Sequence, residues 1–185
     1  ATPDMFFPST ACVLQDRLGA RRSGGLDISA ACSGFIYGLA MANGLIRAGT
    51  ARTVLLLGAE TLTKVVNWQD RNTCVLFGDG AGAVVLRADE GEGGVLSVHL
   101  YADGSKGPLL ILPGGGSRHP MSQAVLDAGL TKIQMNSGNE VFKLAVRVLI
   151  TVGYLLTMIF GLVFAYFGHN WAFHGLYISG LSLIF

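Results

Sequence analysis

Cys32 is the residue of this sequence best suited to covalent chemistry. It lies in Asp27-Ile28-Ser29-Ala30-Ala31-Cys32-Ser33-Gly34-Phe35, where a short extended segment reaches a cysteine and a helix is predicted to start at once. A thiol at a helix N-terminus faces unpaired backbone N–H groups and the positive end of the dipole, which favours the nucleophilic thiolate. Ala30, Ala31, Ser33 and Gly34 are small, so the backbone can turn sharply and a substrate can come close. The competing reading is a small buried hydrophobe, the common fate of a free cysteine. Spacing alone leaves the two readings open.

A second run, Gly78-Asp79-Gly80-Ala81-Gly82-Ala83, fits the G-x-G-x-x-A pattern of a dinucleotide-binding turn and follows an apolar run. It leads into Val84-Val85-Leu86-Arg87, a strand rather than the helix whose N-terminus would hold a pyrophosphate, so the dinucleotide reading is rejected. A tight turn between two strands is the expected role of these glycines. Cys12, Cys32 and Cys74 are odd in number and form no CxxC pair. That pattern argues against a disulfide scaffold or a zinc site and for reduced thiols in a cytosolic setting.

The elements that must position these residues read as alternating strands, glycine turns and helices. Phe35, Ile36, Leu39, Leu45 and Ile46 fall at three-to-four spacing, which predicts a helix over Ser33–Ala48, with Arg47 suited to its C-terminal dipole and Gly49 as its cap. Thr53–Gly58 (TVLLLG) is an apolar run of buried-strand length. Thr73–Phe77 and Gly82–Arg87 are predicted to be two further strands, and Gly94–Tyr101 alternates as a strand with one exposed face would. Another helix is expected to start near Asn139 and to run through Phe142 and Val146.

Composition divides the chain. It has 185 residues, 51% hydrophobic and only 14% charged, with 26 glycines and a net charge of +1. An average domain is about a quarter charged and ~7% glycine. The lack of any basic run excludes a nucleic-acid-binding protein, and the apolar content excludes a disordered one. Every Lys, Arg, Asp and Glu lies at or before Arg147. Beyond it, Leu149–Phe167 is uncharged, with Tyr154, Tyr166 and Trp171 toward its ends, which predicts a membrane-spanning helix. Residue 1 is Ala, Ala1–Pro8 has no signal-peptide character, and the chain stops inside an apolar run, so both ends read as cut.

The segment DISAACSGF, together with FFPSTACVLQDRLGA at Phe6–Ala20, FGDGAGAVVL at Phe77–Leu86, and the later ADGS and LPGGGSR, resembles β-ketoacyl-acyl-carrier-protein synthase III. The resemblance covers about residues 2–147. It implies an α/β, thiolase-like layered fold, here partial, with residues 1–135 belonging to the N-terminal half and 136–147 opening the C-terminal half. Residues 148–185 would be a hydrophobic, helical tail outside the family pattern, either a fusion or an artefact of the sequence such as a frameshift. It further implies a cytoplasmic acyltransferase that initiates fatty acid synthesis as a homodimer. A short acyl-CoA, usually acetyl-CoA, would load Cys32 as a thioester that condenses with malonyl-acyl-carrier protein. No cofactor is implied, since the coenzyme A thioester is a substrate.

By the same resemblance, Arg71 in Asp70-Arg71-Asn72-Thr73 aligns with the arginine that packs on the adenine of coenzyme A, a task suited to a planar guanidinium. Phe7 aligns with the phenylalanine that crosses the dimer interface into the partner's acyl pocket, and Leu62 and Phe77 fall where the family lines its own pocket. Without the resemblance, Arg71 reads as a surface arginine and the three apolar residues as core. The family's His-Gln-Ala-Asn and Gly-Asn-Thr-Ser motifs, whose histidine and asparagine assist decarboxylation, do not occur in these 185 residues. Gly138-Asn139 instead matches the family's Met-Asn-Gly-Asn-Glu-Val-Phe-Lys segment, with Ser137 as an extra residue. Two other readings stand beside the main one: a membrane-anchored thiolase-like binding module, and another thiolase-fold condensing enzyme such as a type III polyketide synthase.

Overall fold

Helix α2 (Gly34–Arg47) and strand β1 (Thr53–Thr61) form the unit around which the rest is arranged. The computed structural model describes residues 1–91 and 94–147. The chain leaves α2 through Ala48 and Gly49, whose φ of +72° supplies the left-handed turn that ends the helix. It then enters β1, which runs back along α2. The contacts show the antiparallel sense: a Cβ on Gly38 would lie 2.5 Å from Leu56 Cδ1, and one on Gly58 would lie 3.7 Å from the Phe35 ring. As helix numbers fall, strand numbers rise. Gly38 is therefore what lets α2 approach the sheet closely.

The alternation along β1 follows from this contact. Val54, Leu56 and Gly58 face the helix and are partly covered, while Leu55 and Leu57 are exposed on the other side. The buried residues of α2, Gly38, Leu39 and Ala42, are small or slim enough to seat against that face. Strand β2 (Asp79–Arg87) pairs antiparallel with β1 in an unbroken register, Thr53 opposite Arg87 and Thr61 opposite Asp79. A second, shorter pair joins β3 (Leu110–Ile111) to β4 (Gln134–Met135).

Between β1 and β2, residues 62–78 fold over the end of the sheet around Val66 and Thr73, both fully buried. This excursion begins with a 3-10 turn, Leu62–Lys64, and contains the single helical turn α3 (Arg71–Cys74). A strand was expected at Thr73–Phe77, and the helical turn replaces it. Asp70 decides the matter, since its carboxylate accepts from the Asn72 N–H (3.0 Å) and the Thr73 hydroxyl (3.0 Å). That N-cap outweighs the β-propensity of the run.

Three further differences have physical causes. Gly80 and Gly82 are not in a hairpin turn but inside β2, opposite Glu60 and Gly58, so β2 pairs with β1 rather than with a strand at Thr73–Phe77. The strand expected over Gly94–Tyr101 is reduced to a β-bridge at Val95, because no edge among the described residues pairs with 96–101. Helix α1 (Thr10–Arg17) was not anticipated, since it buries none of its residues and so carries no amphipathic signal. Its start is set locally by Ser9, whose side chain accepts from the Cys12 N–H.

The remaining helices are α4 (Gln123–Asp127), capped by Ser122, and α5 over residues 138–147, where the sequence predicted it. The membrane helix expected at 149–167 lies outside the described residues. Among the described residues, no helix is long and apolar enough to cross a membrane.

Candidate active site

The antiparallel packing of α2 on β1 brings the start of the helix to the far end of the strand, and this junction is where a cavity opens. Cys32 lies in the 3-10 turn Ala31–Ser33 that leads into α2, one residue before the Ser33 cap. Ala31 holds φ +46°, in the left-handed region that a side chain disfavours. Such a conformation costs about 1–3 kcal/mol and persists only where its surroundings over-determine it. The sequence suggested a sharp turn of small residues here, and the turn is present with an alanine, not a glycine, carrying the strain.

An open cavity of about 190 Å³ lies against this turn. Ala31 and Cys32 form one wall, and Leu62 and Phe77 form another. Leu62 and Phe77 meet because they stand at the two ends of the 62–78 excursion, whose neighbours Thr61 and Asp79 are paired across the sheet. Asp79 fixes this closure: its carboxylate accepts from the Thr63 N–H (2.8 Å) and the Thr63 hydroxyl (2.7 Å). The backbone N–H bond, foremost, and the hydroxyl hold the Asp79 carboxyl below its ordinary value.

The rest of the apolar lining comes from Val65 on the same excursion and from residues far along the chain. Val65, Leu110, Ile111, Leu112 and Ile133 make it largely apolar. Ile133 is drawn in by its backbone N–H, which donates to the Val65 carbonyl (2.9 Å). Spacing could not reveal these residues, because each pairs with a partner distant in sequence. The polar side is made by Glu60 and Thr2. The Thr2 N–H donates to the Glu60 carboxylate (2.9 Å), and the Thr61 N–H donates to the Thr2 hydroxyl (2.8 Å). Burial pushes the Glu60 carboxyl up, but hydrogen bonding, that of Thr2 included, outweighs it and holds the group below its ordinary value.

Two expected residues are elsewhere. Arg71 is exposed at the first position of α3, on the same excursion as Leu62 and Phe77 but outside the cavity lining. Phe7 is 84% exposed, in a cis Phe7–Pro8 unit just before α1, and does not touch the cavity. Three of the five expected residues, Cys32, Leu62 and Phe77, are thus gathered at one place.

Residues 26–104 match the family model described as 3-oxoacyl-[acyl-carrier-protein] synthase III. The chain is 55% identical over 148 residues to β-ketoacyl-[acyl-carrier-protein] synthase III of Caldanaerobacter subterraneus, an alignment covering 80% of this chain and 44% of the relative. The matched part of this chain belongs to that family. The corresponding enzyme of Xanthomonas euvesicatoria is 55% identical over 151 residues, covering 82% of this chain and 45% of its own.

A solved synthase III from Thermus thermophilus superposes with a TM-score of 0.69 at 42% identity, over 80% of this chain and 44% of that one. The fold is therefore the α/β, thiolase-like one of the synthase III enzymes, and the chain spans about 44% of the length of these relatives. Cys32, Leu62, Arg71 and Phe77 fall inside the span matched by the synthase III family model, and Phe7 precedes it.

Proposed function

We propose that this chain carries the acyl-accepting nucleophile of a fatty-acid-initiating condensing enzyme, with Cys32 as that nucleophile. The observation that supports the reading is the position of Cys32, at the entrance to a helix and on the wall of an apolar cavity that Leu62 and Phe77 also line. The Cys32 sulfur attacks the thioester carbonyl of a short acyl-CoA, the bond from the carbonyl carbon to the coenzyme A sulfur breaks, and coenzyme A leaves as a thiol. The backbone N–H of Cys32 is one donor to the oxyanion formed on the way. Malonyl-acyl-carrier protein then loses carbon dioxide, its carbanion attacks the acyl-Cys32 carbonyl, and 3-oxoacyl-acyl-carrier protein departs with return of the thiol. Holding the acyl group on sulfur divides one difficult step into two.

Leu62 and Phe77 bound the acyl group, and Arg71, exposed above the cavity's own loop, packs against the adenine of coenzyme A. Phe7 acts across a homodimer, reaching the acyl pocket of the second copy, which fits its exposure and its distance from the pocket of its own chain. Residues 1–135 are part of the N-terminal thiolase-like half and 136–147 begin the C-terminal half, in a cytoplasmic enzyme. Since the histidine and asparagine motifs that assist decarboxylation are not among these 185 residues, this chain by itself stops at the thioester. Incubation with radiolabelled acetyl-CoA tests the reading. Label on the wild-type chain and none on Cys32→Ala is expected; no label on wild type, or equal label on both, overturns it.

A further inference from the structure

We propose that Asp27 is a positioning residue for Cys32, clamping the segment that leads to the thiol onto the first turn of α1. Its carboxylate accepts from two successive backbone N–H groups of that turn, Thr10 N–H (2.7 Å) and Ala11 N–H (2.9 Å). These are among the donors that a helix leaves unpaired at its N-terminus, so a carboxylate there is bonded and favourably placed in the helix dipole. The backbone beside it is in close contact with the same turn. A Cβ on Gly25 would lie 3.1 Å from Ala11 C and Cys12 N, and the Cys12 thiol donates to the Gly25 carbonyl (3.5 Å).

Between this clamp and Cys32 the chain forms no regular element. Ile28 reaches α2, its Cδ1 lying 3.7 Å from a Cβ built on Gly38, and Ala31 then takes its left-handed conformation. A strained turn of this kind relaxes unless both of its sides are held. Downstream it is held by α2 packed on β1, and upstream by Asp27. The same two bonds add to the Ser9 cap at the start of α1, so one carboxylate ties the nucleophile's lead-in to that helix.

This inference rests on the reading of Cys32 as the nucleophile, and its test does not depend on turnover. The full chain is pulse-labelled with iodoacetamide, and peptide mass spectrometry gives the rate at Cys32 relative to Cys74 in the same molecule. Asp27→Ala lowers that ratio about three- to tenfold, the span of one ordinary intramolecular hydrogen bond. Asp27→Asn, which keeps one carbonyl oxygen as acceptor, recovers part of the loss.

Thr10→Pro is the second variant. It removes the N–H at the first position of α1, where proline is well tolerated, and Ser9 at φ −60° and ψ 145° already has the backbone that precedes a proline. It lowers the ratio in the same direction, and the double variant falls no further than the lower single one. If Asp27→Ala does not fold, Thr10→Pro decides. An unchanged ratio in the folded variants, an equal change at Cys74, or fully additive effects overturn the proposal. Absence of acetyl label on wild-type Cys32 overturns the reading of the reaction instead, and the alkylation ratio still decides the role of Asp27.

Discussion

At the scale of single residues, the chemistry proposed for this protein rests on one thiol and the few groups that frame it. Leu62 and Phe77 line Cys32's cavity from the two ends of one excursion, so on the proposed reading a change of volume at either acts on the acyl group. Leu62→Phe is expected to narrow the space and to lower butyryl transfer from butyryl-CoA to Cys32 about tenfold relative to acetyl transfer, within the range by which a hydrophobic pocket discriminates small apolar increments. An unchanged butyryl-to-acetyl ratio would show that this wall does not bound the acyl chain.

The carboxylates give a second prediction. Asp27 and Glu60 both titrate below their ordinary values of 3.8 and 4.5 in the folded chain. Burial opposes the shift in each, and hydrogen bonds, from Ala11 and Thr10 to Asp27 and from Thr2 to Glu60, act against it. A group with a depressed folded pKa contributes stability that is full above its unfolded value and is lost as pH falls through the folded one. The urea midpoint is therefore expected to be level from about pH 7 to 5 and to decline below about pH 4. Asp27→Ala should soften that decline, and a profile level down to about pH 3 would contradict the role of these carboxylates.

At the scale of elements, α2 and β1 carry the site, and their contact is set by glycine. Gly38→Val is expected to cost about 1–3 kcal/mol, because the added atoms meet Leu56 across the helix–strand contact. Gly49→Ala should cost about 1 kcal/mol through its left-handed conformation at φ +72°. Thermal unfolding followed by circular dichroism measures both, and a wild-type midpoint for Gly38→Val would mean that the contact is loose.

Helix α2 was legible in the sequence almost to the residue, since its apolar spacing and its Arg47 and Gly49 ending are local signals. Strand β1 was legible for the same reason, as was the start of α5. Helix α1 and α3 were not, because α1 buries nothing and α3 depends on one side-chain cap, that of Asp70, inside a run with strand-forming residues. The strand expected at 94–101 failed for a different reason: alternation describes a face, whereas a strand also needs an edge to pair with.

At the scale of the whole molecule, the sheet of β1 and β2 is covered on one side only among the described residues. Leu55 (41% exposed), Leu57 (40%) and Val85 (67%) share the face opposite α2, since Leu55 and Val85 are paired across the ladder. The run TVLLLG has the composition of a strand buried on both faces, and the synthase III relatives, of which the match covers 44%, have further chain to cover it. An apolar face of this kind, with open strand edges, favours self-association. Expressed as these 185 residues, the protein is expected to elute from size exclusion as oligomers or aggregates and to bind a hydrophobic dye, whereas a monodisperse monomer without dye binding would refute this.

The sequence by itself determined the nucleophile candidate, the helix behind it and the family, because these reside in contiguous motifs and short-range spacing. It also carried Leu62 and Phe77 through the resemblance, though not their meeting. The tertiary structure alone decided that these two face Cys32, that Leu110, Ile111 and Ile133 complete the wall, and that Asp27 ties the thiol's lead-in to α1. Each of those facts joins residues apart in the chain, through the ladder of β1 with β2, the pairing of β3 with β4, the Ile133–Val65 bond or the Asp27 bonds to α1, and no local pattern encodes any of them.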